Sequence, residues 1–210
     1  QNEKITEGLD NLPQRMEEYK LLGVKFAKWR AVITIGDRMP SSACMIANAH
    51  ALARYASICQ ELDIVPIVEP EVLMNGSHNI DTCFTVTNEA QNILFEALDK
   101  LDVNLTGIIL KPNMVTSGSN CEKQASAEEI AELTIKCLAK NIPKEVPGIA
   151  FLSGGQSDEN ASNNLSHINK INSNPWKLTF SYGRALQLEA MKKWCGDNNQ
   201  NSEAQKIILK

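Results

Sequence analysis

The 210-residue chain has little of what several protein classes require. No apolar run approaches the roughly 20 residues that a membrane-spanning helix needs, so no membrane partner is expected. There is no basic excess. The 21 Lys and Arg stand against 25 Asp and Glu, a formal charge of −4, which argues against nucleic-acid binding. The three histidines, His50, His78 and His167, lack metal-ligand spacing. None of the six cysteines forms a C-x-x-C pair, and no secretory signal precedes the first predicted helix. The cysteines therefore read as reduced core residues of a cytoplasmic protein, with no metal and no cofactor expected. What remains is ordinary globular composition, 43% hydrophobic and 22% charged, at a length that suits one domain or a small pair.

Apolar periodicity alternates between strand and helix spacing along the whole chain. Helices are predicted over residues 12–22, with Asn11 as cap and Pro13 in the first turn, then over 41–62 and 81–101. Another opens at Ser126, with Glu129 at capping-box spacing; two more span 158–170 and 184–195, the last closed by Gly196. Between them lie strands at 24–30, 64–69, 106–111, 148–153 and 177–181. Residues 197–210 read as a polar C-terminal segment. Five βα units without mutual similarity predict an α/β fold, a parallel sheet with helices outside. The strand-end residues Lys28, Glu69, Lys111 and Ser153 follow at intervals of 41, 42 and 42 residues.

The chemistry gathers at those strand ends. In Gly107 to Val115 a β-branched run ends in Lys111, and Pro112 holds the lysine extended at the strand tip. A desolvated ammonium there loses its proton more readily, and the neutral amine can attack a carbonyl to form a Schiff base. Residues two apart share a strand face. Phe26, Lys28 and Arg30 form one such set, and Val65, Ile67 and Glu69 another. Ile109, Lys111 and Asn113, and then Phe151 and Ser153, complete the pattern. The polar tips are expected to converge on a shared interior, where barrel active sites form. Lys28 would repel Lys111 and help free an amine, and Glu69 would shuttle protons; a structural Lys28–Glu69 ion pair is the plainer alternative. Ser153-Gly154-Gly155 and Ser181-Tyr182-Gly183-Arg184 each end a strand before a helix, as phosphate-binding loops do, with tight turns as the alternative.

These residues resemble those of class I fructose-bisphosphate aldolases, the Schiff-base, metal-independent type. The matching segments are GLDNLPQR, FAKWRAVITIG, ANAHALARYASICQ, IVPIVEPE, LKPNMVTSG, FLSGGQSDENAS and LTFSYGRALQ, in the family's order from Gly8 to about Trp194. The resemblance implies that Lys111 is the Schiff-base nucleophile, with Lys28 and Glu69 transferring protons and Glu71 in support. Ser153, Gly154, Gly183 and Arg184 would hold the phosphate nearer the ketone, and Arg30 would lie near the other. The reaction implied is reversible cleavage of fructose 1,6-bisphosphate to dihydroxyacetone phosphate and glyceraldehyde 3-phosphate, in glycolysis and gluconeogenesis. A homotetramer acting on a phosphorylated sugar is the implied assembly.

The family forms an eight-stranded TIM (β/α)8 barrel, and this chain supplies about the last five units. The expected division is a partial barrel over residues 1–196 and the polar segment 197–210. With the first three strands go a carboxylate tied to carbon–carbon cleavage and further substrate contacts. An open five-stranded segment would expose two edges and its inner face, so a missing amino-terminal barrel segment is an expected partner. Two rivals stand beside this reading: a non-catalytic, aldolase-derived interaction module, and another Schiff-base barrel lyase, of the deoxyribose-phosphate aldolase kind.

Overall fold

The computed structural model describes residues 3–209. Helix α1 (Leu12–Leu21) leads to strand β1 (Phe26–Ile33), then α2 (Ser42–Glu61), β2 (Val65–Val72) and α3 (Ile80–Lys100). Next come β3 (Ile109–Leu110), α4 (Ala127–Asn141), β4 (Gly148–Phe151), α5 (Asp158–Ile171) and β5 (Lys177–Phe180). The chain ends with α6 (Arg184–Trp194) and α7 (Asn201–Ile208).

Side-chain caps start most of these helices. The Ser41 hydroxyl accepts from the Cys44 N–H, Asn79 Oδ1 from Thr82, and the Ser157 hydroxyl from Asn160. Ser126 and Glu129 form the full reciprocal box, each side chain accepting the other's backbone N–H. Asn11 differs from expectation. It occupies the cap position in a left-handed conformation, φ 54°, and its side chain makes no capping bond. The polar C-terminal segment is folded. It folds into a 3-10 turn at Asn198–Gln200 followed by α7, which packs back on α6. Ala204 is the buried residue of α7, and with Ile207 and Ile208 it forms a short apolar face at helical spacing.

The five strands form one parallel sheet in the order β1-β2-β3-β4-β5. Helices cross over between them, as parallel neighbours require. Within the described residues β1 and β5 are unclosed edges. One sheet face is dry. Trp29, Ala31, Val68, Leu110, Ile149 and Phe151 pack there against Leu52, Tyr55 and Cys59 of α2 and Leu94 and Leu98 of α3. The Trp29 and Tyr55 rings lie 5.6 Å apart. The other face is open at its lower end, where Phe26 is 63% and Val65 39% exposed.

Register corrects one expected pairing of faces. Ile149 stands beside Leu110, so Phe151, two residues on, belongs to the dry helix-packed face and not to the inner one. The strand ends at Phe151, and alternation does not carry through to Ser153.

Candidate active site

Strand β2 supplies two inward carboxylates, Glu69 and Glu71, with Pro70 between them. Across the ladder Lys28 stands beside Ile67 and Arg30 beside Glu69. Both cations lean one pleat toward the strand ends. Lys28 Nζ reaches Glu69 Oε2 at 2.7 Å, and Arg30 Nε donates to Glu71 Oε2 at 2.5 Å. The Glu71 bond holds the Arg30 guanidinium above its usual pKa, with burial opposing it. On the other side Lys111 Nζ lies 3.1 Å from Glu69 Oε1. One carboxylate thus touches two amines through its two oxygens. The Glu69 side chain is 4% exposed, that of Lys111 11% and that of Lys28 41%.

These charges can pass a proton. A carboxylate in contact with both amines can accept from one nitrogen and return to the other without diffusion. Three cations face two carboxylates, an excess of one positive charge when all are ionised, which suits an anionic ligand.

Strand β3 ends just before Lys111. The Lys111 N–H still donates to the Val68 carbonyl, at 2.8 Å. The glycine-rich loop after β4 turns sharply. Gly154 has φ +63° and Gly155 φ +95°, and a Cβ on Gly154 would stand 3.1 Å from Leu152 Cδ1. After β5, Gly183 caps α6, with nothing within 4 Å of where a Cβ would stand. A cavity of about 440 Å³ opens between these elements. Its walls are Arg30, Glu69, Glu71, Lys111, Leu152, Ser153, Gly154, Ser181 and Gly183.

The cavity thus gathers Lys111, Glu69, Glu71, Arg30, Ser153, Gly154 and Gly183, and Lys28 joins through Glu69. Arg184 opens α6, but its side chain lies outside the described residues. Sequence reasoning missed Leu152 as a wall; it is an ordinary apolar residue at a strand end, with no signal of its own. Ser181 was visible only as part of its motif. Asn113 does not share the face of Lys111. Past Pro112 the strand is over, and the Asn113 amide turns to β2 and α3. Among the described residues no three His, Cys, Asp or Glu side chains are grouped to hold a metal ion. Cys44, Cys59, Cys83 and Cys137 are buried free thiols. Burial pushes Cys59 up to about 11 and Cys137 up to about 12, which keeps both protonated and unreactive.

Comparison with known proteins places this site among relatives. The profile of the glycolytic family described as fructose-bisphosphate aldolase class-I matches residues 1–210. A probable fructose-bisphosphate aldolase class 1 of Xanthomonas axonopodis pv. citri is 54% identical over 207 residues, covering 98% of this chain and 62% of that protein. Fructose-bisphosphate aldolase C of Rattus norvegicus is 49% identical, covering 99% of this chain and 58% of its own length. The solved fructose-bisphosphate aldolase of Plasmodium falciparum, in complex with TRAP and a small-molecule inhibitor, superposes with a TM-score of 0.96 at 44% identity. It is matched by all of this chain over 61% of its own. The chain therefore spans about three fifths of the length of these relatives.

Proposed function

Because the chain belongs to the class I fructose-bisphosphate aldolase family, its five βα units being part of that family's barrel, we propose that it carries the Schiff-base portion of an aldolase site. The substrate is a phosphorylated ketose, fructose 1,6-bisphosphate, in equilibrium with dihydroxyacetone phosphate and glyceraldehyde 3-phosphate. The observation that carries this reading is Glu69 held between Lys28 and Lys111 at the wall of a cavity of about 440 Å³.

The geometry supports the following sequence. Lys111 gives its proton to Glu69 and attacks the ketone carbon, forming a carbinolamine. Glu69 and Lys28 then protonate the departing hydroxyl, and water leaves as the iminium forms. When the carbon–carbon bond breaks, its electron pair flows into the iminium and leaves an enamine, with the aldehyde as first product. Protonation of the enamine and hydrolysis then release dihydroxyacetone phosphate and restore the Lys111 amine. The proton lost from the hydroxyl at the cleaved bond needs a further base. The resemblance assigns that base to a carboxylate on barrel strands that this chain does not span.

Ser153, Gly154, Gly183 and Arg184 are assigned to the phosphate nearer the ketone, through backbone N–H groups at a loop and a helix start. Arg30 is assigned to the far phosphate, with Glu71 fixing its fork. Assembly as a homotetramer in the cytoplasm, completed by the remainder of the barrel, belongs to the same proposal. Among the described residues no helix is long and apolar enough to cross a membrane. A second reading, a non-catalytic module, is favoured by the uncovered inner face at Phe26 and Val65.

The test is borohydride reduction in the presence of dihydroxyacetone phosphate, followed by peptide mass spectrometry. A single adduct on Lys111, lost in Lys111→Met, is expected. Absence of an adduct, or one on another lysine, would refute the Schiff-base assignment and leave the module.

A further inference from the structure

The β2–β3 ladder is short, as is the β3–β4 ladder beside it. Only Ile67 with Ile109 and Val68 with Leu110 are paired, and the Lys111 N–H adds one bond to Val68. The next bond of a parallel ladder would need a donor from residue 70, which is Pro70 and has none. On the opposite strand Pro112 also lacks an N–H, but its backbone faces the β4 side, where its carbonyl accepts from the Leu152 N–H at 3.1 Å. Backbone pairing between β2 and β3 thus ends with the Lys111 N–H bond, and no ladder holds the two strands together beyond the point where Glu69 meets Lys111.

One side chain spans the gap. Asn113 Oδ1 accepts the Val72 N–H at 3.0 Å, one residue beyond Glu71. Its Nδ2 donates to Thr87 Oγ1 on α3 at 3.1 Å and to the Met114 carbonyl at 3.0 Å. Asn113 is 5% exposed and Thr87 1%, so these bonds form away from water. A primary amide suits this place. It accepts toward β2 and donates toward α3 and its own strand, which neither a carboxylate nor an aliphatic side chain does.

We propose that Asn113 is a positioning residue that sets the separation of the Lys111 strand from the Glu69–Glu71 strand; the proposal rests on reading Lys111 as the Schiff-base lysine. It touches no substrate. Its bridge replaces the missing ladder, so its loss lets the two strand ends part and lengthens the Glu69–Lys111 contact, which slows imine formation more than substrate binding.

The experiment measures the rate constant of borohydride trapping with dihydroxyacetone phosphate, per folded molecule, in the polypeptide at its natural length. Asn113→Ala is expected to slow trapping about tenfold or more while the half-saturating concentration changes less than about threefold. Thr134→Ala is the control. It removes another buried bond of the same segment, the Val115 N–H to Thr134 Oγ1 at 2.9 Å, and should leave the rate constant within about twofold. Thr87→Val keeps Asn113 but removes its anchor on α3, and should slow trapping by about threefold. If Asn113→Ala does not fold, Thr87→Val decides alone. Unchanged rates in the folded variants, or equal slowing by Thr134→Ala, overturn the proposal. No adduct on the unsubstituted protein removes the Lys111 assignment and this inference together; an adduct formed at an unchanged rate by the variants removes only the inference.

Discussion

Glu69→Ala is the sharpest perturbation of the site, because one carboxylate serves two amines of unequal burial. The contact with Lys111 joins two side chains nearly closed to water, 3.1 Å apart. Removing one partner of such a pair strands the other charge, at a cost of about 3–5 kcal/mol. The contact with Lys28 is shorter, 2.7 Å, but Lys28 is 41% exposed and solvent screens it. That pair contributes at most about 1 kcal/mol. Distance alone would rank the two contacts the other way. Urea unfolding should therefore show a large loss for Glu69→Ala, a loss under about 1 kcal/mol for Lys28→Met, and an intermediate loss for Glu69→Gln, which keeps an acceptor oxygen. Borohydride trapping should fall by about 10²- to 10⁴-fold in Glu69→Ala, as proton transfer is lost. The reasoning is refuted if Lys28→Met costs as much stability as Glu69→Ala. It is equally refuted if Glu69→Ala unfolds at the parental midpoint and traps at the parental rate.

Two further outcomes follow from the backbone and from burial. Gly154→Ala places a Cβ on a residue at φ +63°, 3.1 Å from Leu152 Cδ1, and should cost about 1–2 kcal/mol in urea unfolding. It should also raise the half-saturating sugar phosphate concentration more than it lowers the maximal trapping rate. Stability should fall on the alkaline side. Burial raises the Cys137 thiol to about 12 in the folded state, so between its ordinary value of 9.0 and that value the unfolded chain has released a proton that the native one retains. Its contribution is fully present below about pH 9 and lost as pH rises toward 12, and Cys137→Ala should flatten that slope in unfolding midpoints measured across the window.

The sequence made the order of elements and most of the site readable, for a physical reason. Strand-end polar residues break an apolar alternation, and lysine or glutamate at a strand tip is conspicuous because burial there is costly. Lys28, Glu69 and Lys111 were visible in this way, and their convergence followed from the parallel rhythm. Asn113 and Phe151 were misplaced because alternation was extended past the ends of short strands. β3 contains two residues, and β4 stops at Phe151. Strand β2 runs on to Val72, beyond its expected end at Glu69, because Pro70 lacks only a donor facing β3, where the ladder already fails. Helix α7 is hard to read in the sequence because its apolar face, Ala204, Ile207 and Ile208, fills only eight residues behind an Asn/Gln-rich stretch.

The diagonal lean of Lys28 and Arg30 has a consequence for folding as well as for chemistry. A one-residue slip of β1 against β2 turns every side chain to the wrong face, and hydrophobic burial forbids it. A two-residue slip keeps every face correct, and burial hardly senses it. The charges do sense it. Moved one way, Lys28 meets Glu71 and Arg30 passes beyond the last carboxylate; moved the other way, Arg30 takes Glu69 and Glu71 is left buried without a cation. The two cations and two carboxylates act as alignment marks that let the sheet recognise its own correct pairing before any substrate arrives.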